Sequence, residues 1–225
     1  MVQIGLADSY DRFKPTNRLG SPGFGTAIKS LTDPYPLGGY SGVEIGVANE
    51  IIPTTDMAGL GNKSKLQGET SYAQLSFAKG LYYNVDLFVD FVPMGQNEKV
   101  SGFGGGFRWG FFEAEYLPVT VSFQATANST SFQNKINLTT QTLDLIASFN
   151  VEDVTLYAGV GPVRSWGVFM GGADGVTDSG NVENEMLSTT RMLAGLAVKF
   201  SKVFAALEIN RTTEPSYAAK IGVRF

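Results

Sequence analysis

The chain contains no cysteine and no histidine. The absence of cysteine excludes disulfides, thiolate metal ligands and a cysteine nucleophile. The absence of histidine removes the commonest general base and the commonest metal ligand. Acidic residues outnumber basic ones, 21 to 17, whereas proteins that bind nucleic acid normally present a basic surface. We therefore expect no cofactor, no metal site and no nucleic-acid partner.

Long apolar runs are also missing. No stretch approaches the roughly 18–20 consecutive apolar residues that a membrane-spanning helix needs, so residence in a membrane would have to come from strands. The chain does not open with a positively charged stretch and an apolar core, and we expect the signal peptide of an exported protein to be absent from it. The 27 glycines and a charged content of only 17% favour short strands joined by turns.

Apolar and polar residues alternate in segments of about ten residues, which is the length of a tilted strand crossing a membrane. In 83–91 every odd position is apolar or aromatic, while the even positions include Asp86 and Asp90. The pattern predicts about ten strands, near 41–52, 69–79, 82–93, 100–111, 117–128, 137–149, 152–163, 187–200, 202–211 and 215–225. The predicted fold class is all-β, an antiparallel up-and-down transmembrane β-barrel spanning 41–225.

The connections between these strands alternate between short and long, as they do in outer-membrane barrels. Short turns fall near 80–81, 113–115, 150–151 and 201–202. The opposite connections are 53–68, 94–99, 129–136, 164–186 and a tighter one at 212–214. Aromatic residues gather beside the short turns, which predicts a girdle at one membrane interface. They are Tyr82, Tyr83, Phe111, Phe112, Tyr116, Phe149, Phe200 and Phe225.

The last nine residues, from Tyr217 to Phe225, alternate and end on an aromatic residue. This segment resembles the C-terminal insertion signal of the bacterial outer-membrane β-barrel superfamily, with Tyr217 and Phe225 as its aromatic positions. The resemblance implies insertion by the barrel-assembly machinery of a Gram-negative bacterium and contact with outer-membrane lipid and lipopolysaccharide. Omptin proteases and the lipid-A-modifying and phospholipase barrels use a catalytic histidine, which this chain lacks, so we expect no catalytic residue and no enzymatic activity.

The polar face of the strands would line the interior of the barrel, which we call the lumen. This predicts a polar network of ten residues with nearly balanced charge: Glu44, Asp86, Asp90, Arg108, Asp144, Arg191, Lys199, Glu208, Lys220 and Arg224. One interpretation is a set of ion pairs that fills the interior. The other is a polar path for ions or small solutes.

Residues 1–40 carry four prolines and several aromatic residues without sustained alternation. They are interpreted as a periplasmic extension or a plug that meets the lumen wall, which lacks side chains at Gly102, Gly104, Gly106 and Gly110. A plain linker is the alternative. Eight strands give a barrel just filled by side chains, and 16–18 leave an aqueous channel. Ten strands predict a narrow or closed, porin-like pore for small solutes at most, with a structural or partner-binding outer-membrane protein as the alternative.

Overall fold

A computed structural model describes residues 25–53, 69–93, 100–132, 136–169 and 184–225. Ten strands account for most of them. They are β1 (Val43–Pro53), β2 (Glu69–Gly80), β3 (Val85–Val92), β4 (Val100–Glu113), β5 (Val119–Phe132), β6 (Ile136–Val151), β7 (Val154–Phe169), β8 (Asn184–Phe200), β9 (Val203–Arg211) and β10 (Pro215–Arg224). Among the described residues, no helix has the length and apolarity to cross a membrane.

The strands form one closed antiparallel sheet in which sequence neighbours pair and β1 pairs with β10. At this closure Glu44 lies opposite Arg224, and Val43 and Phe225 exchange two backbone hydrogen bonds of 3.0 and 2.8 Å. A closed sheet satisfies its backbone groups internally, which hydrocarbon requires of any strand that crosses it. The predicted fold class, a ten-stranded antiparallel barrel, is confirmed.

The barrel is polar inside and apolar outside. Inward positions of β5 are buried Thr120, Ser122, Gln124 and Thr126, whereas outward positions of other strands carry exposed large apolar side chains. Among the latter are Val47, Leu75, Leu87, Val89, Phe103, Leu143, Leu145, Leu156, Leu207 and Ile221. Such an exterior is favourable only against lipid, because water would meet a continuous apolar surface. The chain is therefore a transmembrane β-barrel of the outer-membrane type.

One end of the barrel holds the connections 81–84, 114–118, 152–153 and 201–202, none longer than five residues, and we call it the short-turn end. Tyr83, Asn84, Glu152 and Ser201 have positive φ there, as sharp reversals require. The eight aromatic residues predicted to form a girdle are all exposed at this end. The opposite end carries 54–68, 93–99, 133–135, 170–183 and 212–214, and we call it the long-connection end.

Strands β5 to β8 are longer than predicted. The connection expected at 129–136 shrinks to 133–135, and the one expected at 164–186 shrinks to 170–183. Toward the long-connection end, Gln141, Arg164 and Ser188 lie opposite one another on the outside of β6, β7 and β8, although Trp166 and Met186 face outward beyond them. Polar residues on both faces erase the alternation from which strand ends were predicted, although backbone pairing continues through them.

Candidate functional site

A stretch of non-strand chain occupies the lumen. We call residues 25–37 the lumen segment; residues 38–42 then lead into β1. All residues of 25–32 are buried, as are Pro34 and Pro36. The segment runs along the barrel, from the long-connection end at Gly25 to the short-turn end at Leu37, and hydrogen bonds join it to the wall along this path.

The first contacts of the lumen segment lie near the long-connection end. An ideal Cβ at Gly25 would stand 3.2 Å from Ile52, the penultimate residue of β1. The carbonyl of Thr26 accepts a 2.9 Å hydrogen bond from Asn128, and its hydroxyl lies 3.3 Å from that of Thr140. Ala27 packs with Val163.

A buried ion pair fixes the middle of the lumen segment. The Lys29 ammonium lies 2.6 Å from Glu50, and the exposed fractions of the two side chains are 0% and 1%. Glu50 also accepts hydrogen bonds from Tyr72 and Gln74, at 2.8 and 2.9 Å. Lys29 donates back to the carbonyl of Gly25. An ion pair removed from water in this way is tolerable because hydrogen bonds satisfy the remaining polar atoms.

Two further carboxylates of the wall hold the next turn of the lumen segment. The backbone N–H of Leu31, which has a positive φ of 42°, donates to Glu208 over 3.0 Å, and Tyr157 donates to the same oxygen. The Thr32 hydroxyl donates to Glu44 over 2.6 Å. Each contact replaces water with a charge-assisted hydrogen bond, which is stronger than a neutral one.

Arginines of the wall bind main-chain oxygens of the lumen segment. Arg191, paired with Asp144, donates to the carbonyl of Ile28 over 2.9 Å. Arg108, paired with Asp86 at 2.6 Å, donates to the carbonyl of Asp33 over 3.0 Å. These two arginines therefore link carboxylates of the wall to the backbone of the segment.

The lumen segment ends at the short-turn end. The Leu37 N–H donates to both oxygens of Asp86, at 3.1 and 3.0 Å. Tyr35 donates to Glu113 over 2.8 Å and accepts a hydrogen bond from Asn84. Partial burial and the neighbouring Glu113 carboxylate raise the pKa of the Tyr35 phenol above its usual 10.0.

Glycines make room for the lumen segment at two points of β4. An ideal Cβ at Gly110 would stand 2.5 and 2.8 Å from the Pro36 ring and 3.2 Å from Tyr35, and one at Gly104 would stand 2.8 Å from Ile28. Other inward glycines serve the wall itself, since Gly195 faces Tyr157 and Gly222 faces Phe204. The inward glycines therefore make room for the lumen segment at some positions and for side chains of the wall at others.

The structure brings most of the predicted polar network together. Lys220 lies 2.8 Å and Arg224 2.9 Å from Glu44, and Arg224 also donates to the Thr32 hydroxyl. Asp90 lines a cavity of about 20 Å³ beside 29–32, which is room for about one water molecule. Lys199 differs from the others, because it is exposed at the short-turn end and lines a 190 Å³ cavity with Asp33 and Arg224.

Several residues of this site were not predicted as part of it. Tyr72, Gln74 and Tyr157 support the carboxylates, and Thr32 and Leu31 bind them from the lumen segment. The sequence could have predicted that residues 72, 74 and 157 face inward, because they alternate with apolar residues that face outward. Lys29 of the lumen segment, which binds Glu50, is also outside the predicted network.

No protein-family model matches the chain, and no curated protein matches it. Several solved structures are similar to it at low sequence identity. The N-terminal β-barrel domain of Pseudomonas aeruginosa OprF is 14% identical, with 83% of this chain and 98% of that chain covered and a TM-score of 0.38. Ail, the attachment invasion locus protein of Yersinia pestis, is 14% identical over 82% and 97%, with a TM-score of 0.34. The translocator domain of the Neisseria meningitidis autotransporter NalP is 13% identical over 97% and 95%, with a TM-score of 0.39.

Proposed function

We propose that this outer-membrane β-barrel is a closed or narrow pore that passes small solutes at most, because its own N-terminal segment fills the lumen. The observation that carries the proposal is the row of buried contacts from Thr26 to Leu37 against the wall. In this proposal residues 1–40 form the plug and 41–225 the barrel. Residues 1–24 lie outside the described part of the chain.

Size supports a closed state. A barrel of eight strands is about filled by its own side chains, so ten strands leave little more than space for one stretch of chain. The lumen segment is such a chain, and the cavity beside Lys29 and Asp90 holds about one water molecule. In this arrangement the polar network serves mainly as a set of ion pairs that binds the plug, and an ion path would require the segment to leave.

A reversible lock tests the proposal. Thr26→Cys combined with Thr140→Cys places two thiols where hydroxyl oxygens are 3.3 Å apart, in a chain without native cysteine. We expect low conductance in planar bilayers in the oxidised form, and more frequent openings after reduction or after deletion of residues 1–38. The control is the pair of single variants, which cannot lock. Large steady currents from the oxidised double variant would contradict a closed pore.

A second candidate function is a structural or partner-binding role without transport. The polar side chains of Gln141, Arg164 and Ser188 on the outside of β6 to β8 favour it, because together they offer charge and hydrogen-bond partners to another molecule near the long-connection end. Absence of current from both the intact and the truncated barrel would support this role. We also propose that this part of the exterior contacts lipopolysaccharide. In either candidate function the chain is assembled through the C-terminal signal at Tyr217 and Phe225.

A further inference from the structure

We propose that the barrel presents the peptide preceding Gly25 at the long-connection side of the membrane, which is the cell surface in outer-membrane barrels. The inference rests on the direction in which the lumen segment crosses the barrel, and it adds display of a peptide to the closed pore proposed above. A plug that only capped the barrel at the start of β1 would have both of its ends at the short-turn end.

The N-terminal end of the lumen segment lies among strand residues close to the long connections. Gly25 packs against Ile52 and Pro53, where β1 ends before 54–68. Thr26 contacts Asn128, near the end of β5, and Thr140, near the start of β6. Ala27 packs on Val163 with Leu187, and Leu187 lies near the start of β8.

The C-terminal end of the lumen segment lies among residues close to the short turns. Tyr35 binds Glu113, the last residue of β4, and Asn84 of the first hairpin. Gly39 approaches Gly80, the last residue of β2. Gly38 and Gly39, with φ of 86° and 97°, reverse the chain at this end so that β1 can begin at Val43.

The contacts between these ends follow in order. On β1 alone, Gly25 meets Ile52, Lys29 meets Glu50 and Thr32 meets Glu44. The segment therefore advances from the end of β1 to its start without turning back. An antiparallel passage beside β1 leaves the chain before Gly25 at the end where β1 terminates.

Barrels of this class place their short turns in the periplasm and their long connections outside the cell. Applied to this chain, the rule places Leu37 and Val43 at the periplasmic side and Gly25 at the outer side. A peptide joined to Gly25 then continues into the external medium.

The absence of cysteine permits a clean topology experiment. The full chain, behind a cleavable export signal, receives a short cysteine-bearing tag directly before Met1. Two matched variants mark the sides: Thr213→Cys lies in the connection 212–214, and Asp153→Cys lies exposed in the hairpin 152–153. Intact cells are treated with a membrane-impermeant maleimide and compared with lysed cells.

We expect the tag and Thr213→Cys to react in intact cells, and Asp153→Cys to react only after lysis. A tag that reacts only after lysis, while Thr213→Cys reacts in intact cells, would overturn the proposed direction. The disulfide between Thr26→Cys and Thr140→Cys separates this failure from failure of the plug. If that disulfide forms in the membrane but the tag stays protected, the plug stands and surface presentation does not.

Discussion

Lys29 of the lumen segment and Glu50 of β1 form an ion pair of 2.6 Å between side chains that are almost fully removed from solvent. The pair joins residues only 21 positions apart in sequence, yet one belongs to the lumen segment and the other to the wall. Glu50 is the only carboxylate of the described wall that contacts Lys29 in this way. Loss of the lysine would leave a buried carboxylate whose remaining partners, Tyr72 and Gln74, are neutral.

We expect Lys29→Met to lower the free energy of unfolding by about 3 kcal/mol or more, which is typical of breaking a buried pair on one side. Glu50→Gln combined with Lys29→Met should recover part of this loss, because no unpaired charge remains. Denaturant unfolding in detergent, followed by heat-modifiable migration, measures both effects.

Lys199→Met serves as the control for lysine removal, because Lys199 is exposed at the short-turn end. Its unfolding midpoint should match that of the native chain. If Lys29→Met and Lys199→Met behave alike, the buried pair does not hold the segment.

A substitution at Gly110 tests whether the lumen segment packs against β4. The three atoms nearest to an added Cβ all belong to Pro36 and Tyr35, so Gly110→Val crowds the lumen segment first. We expect this substitution to destabilise the full chain and to raise conductance, while it leaves a barrel lacking residues 1–38 nearly unchanged. If the substitution destabilises the barrel equally with and without residues 1–38, the added side chain strains the wall itself. That result would contradict docking of the lumen segment at Gly110.

Tyr35 makes the stability of the folded chain depend on pH in the alkaline range. Partial burial and the Glu113 carboxylate raise its pKa, so the neutral phenol is favoured in the folded protein. Its hydrogen bond to Glu113 therefore contributes stability fully below pH 10 and loses it as the pH rises through the raised pKa. Tyr35→Phe should remove this contribution. The difference in unfolding midpoint between the native chain and Tyr35→Phe should be constant below pH 10 and shrink above it, and a difference that grows above pH 10 would contradict the assignment.

The barrel could be predicted because a membrane imposes strict alternation on every strand. In 119–126 one face is apolar and the other polar, so the sequence predicts both the strand and which of its residues face the lumen. Prediction failed at the ends of β5 to β8. There polar residues such as Ser129, Ser131 and Thr139 face outward on β5 and β6, so alternation of apolar and polar residues no longer marks a strand that backbone pairing still supports.

The contacts between residues inside the lumen were harder to predict from the sequence than the identity of the residues that line it. Alternation assigns Glu44, Glu208 and Lys220 to the interior, but it carries no information about a chain that has no period of its own. Leu31 binds Glu208 through its backbone N–H and Arg191 binds a backbone carbonyl. Backbone groups are the same for every residue type, so only the path of the chain determines these contacts.

The C-terminal Phe225 should act on assembly more than on the stability of the finished barrel. Its side chain is 61% exposed, and its contacts with β1 use backbone atoms that Phe225→Ala retains. We therefore expect Phe225→Ala to reduce the fraction of chains that reach the folded, heat-modifiable form in cells, while purified folded protein keeps its unfolding midpoint. Phe200→Ala is the matched control, since Phe200 is 65% exposed at the same end but lies outside the C-terminal segment. If both variants assemble equally well, the terminal aromatic residue is only one member of the girdle and not an insertion signal.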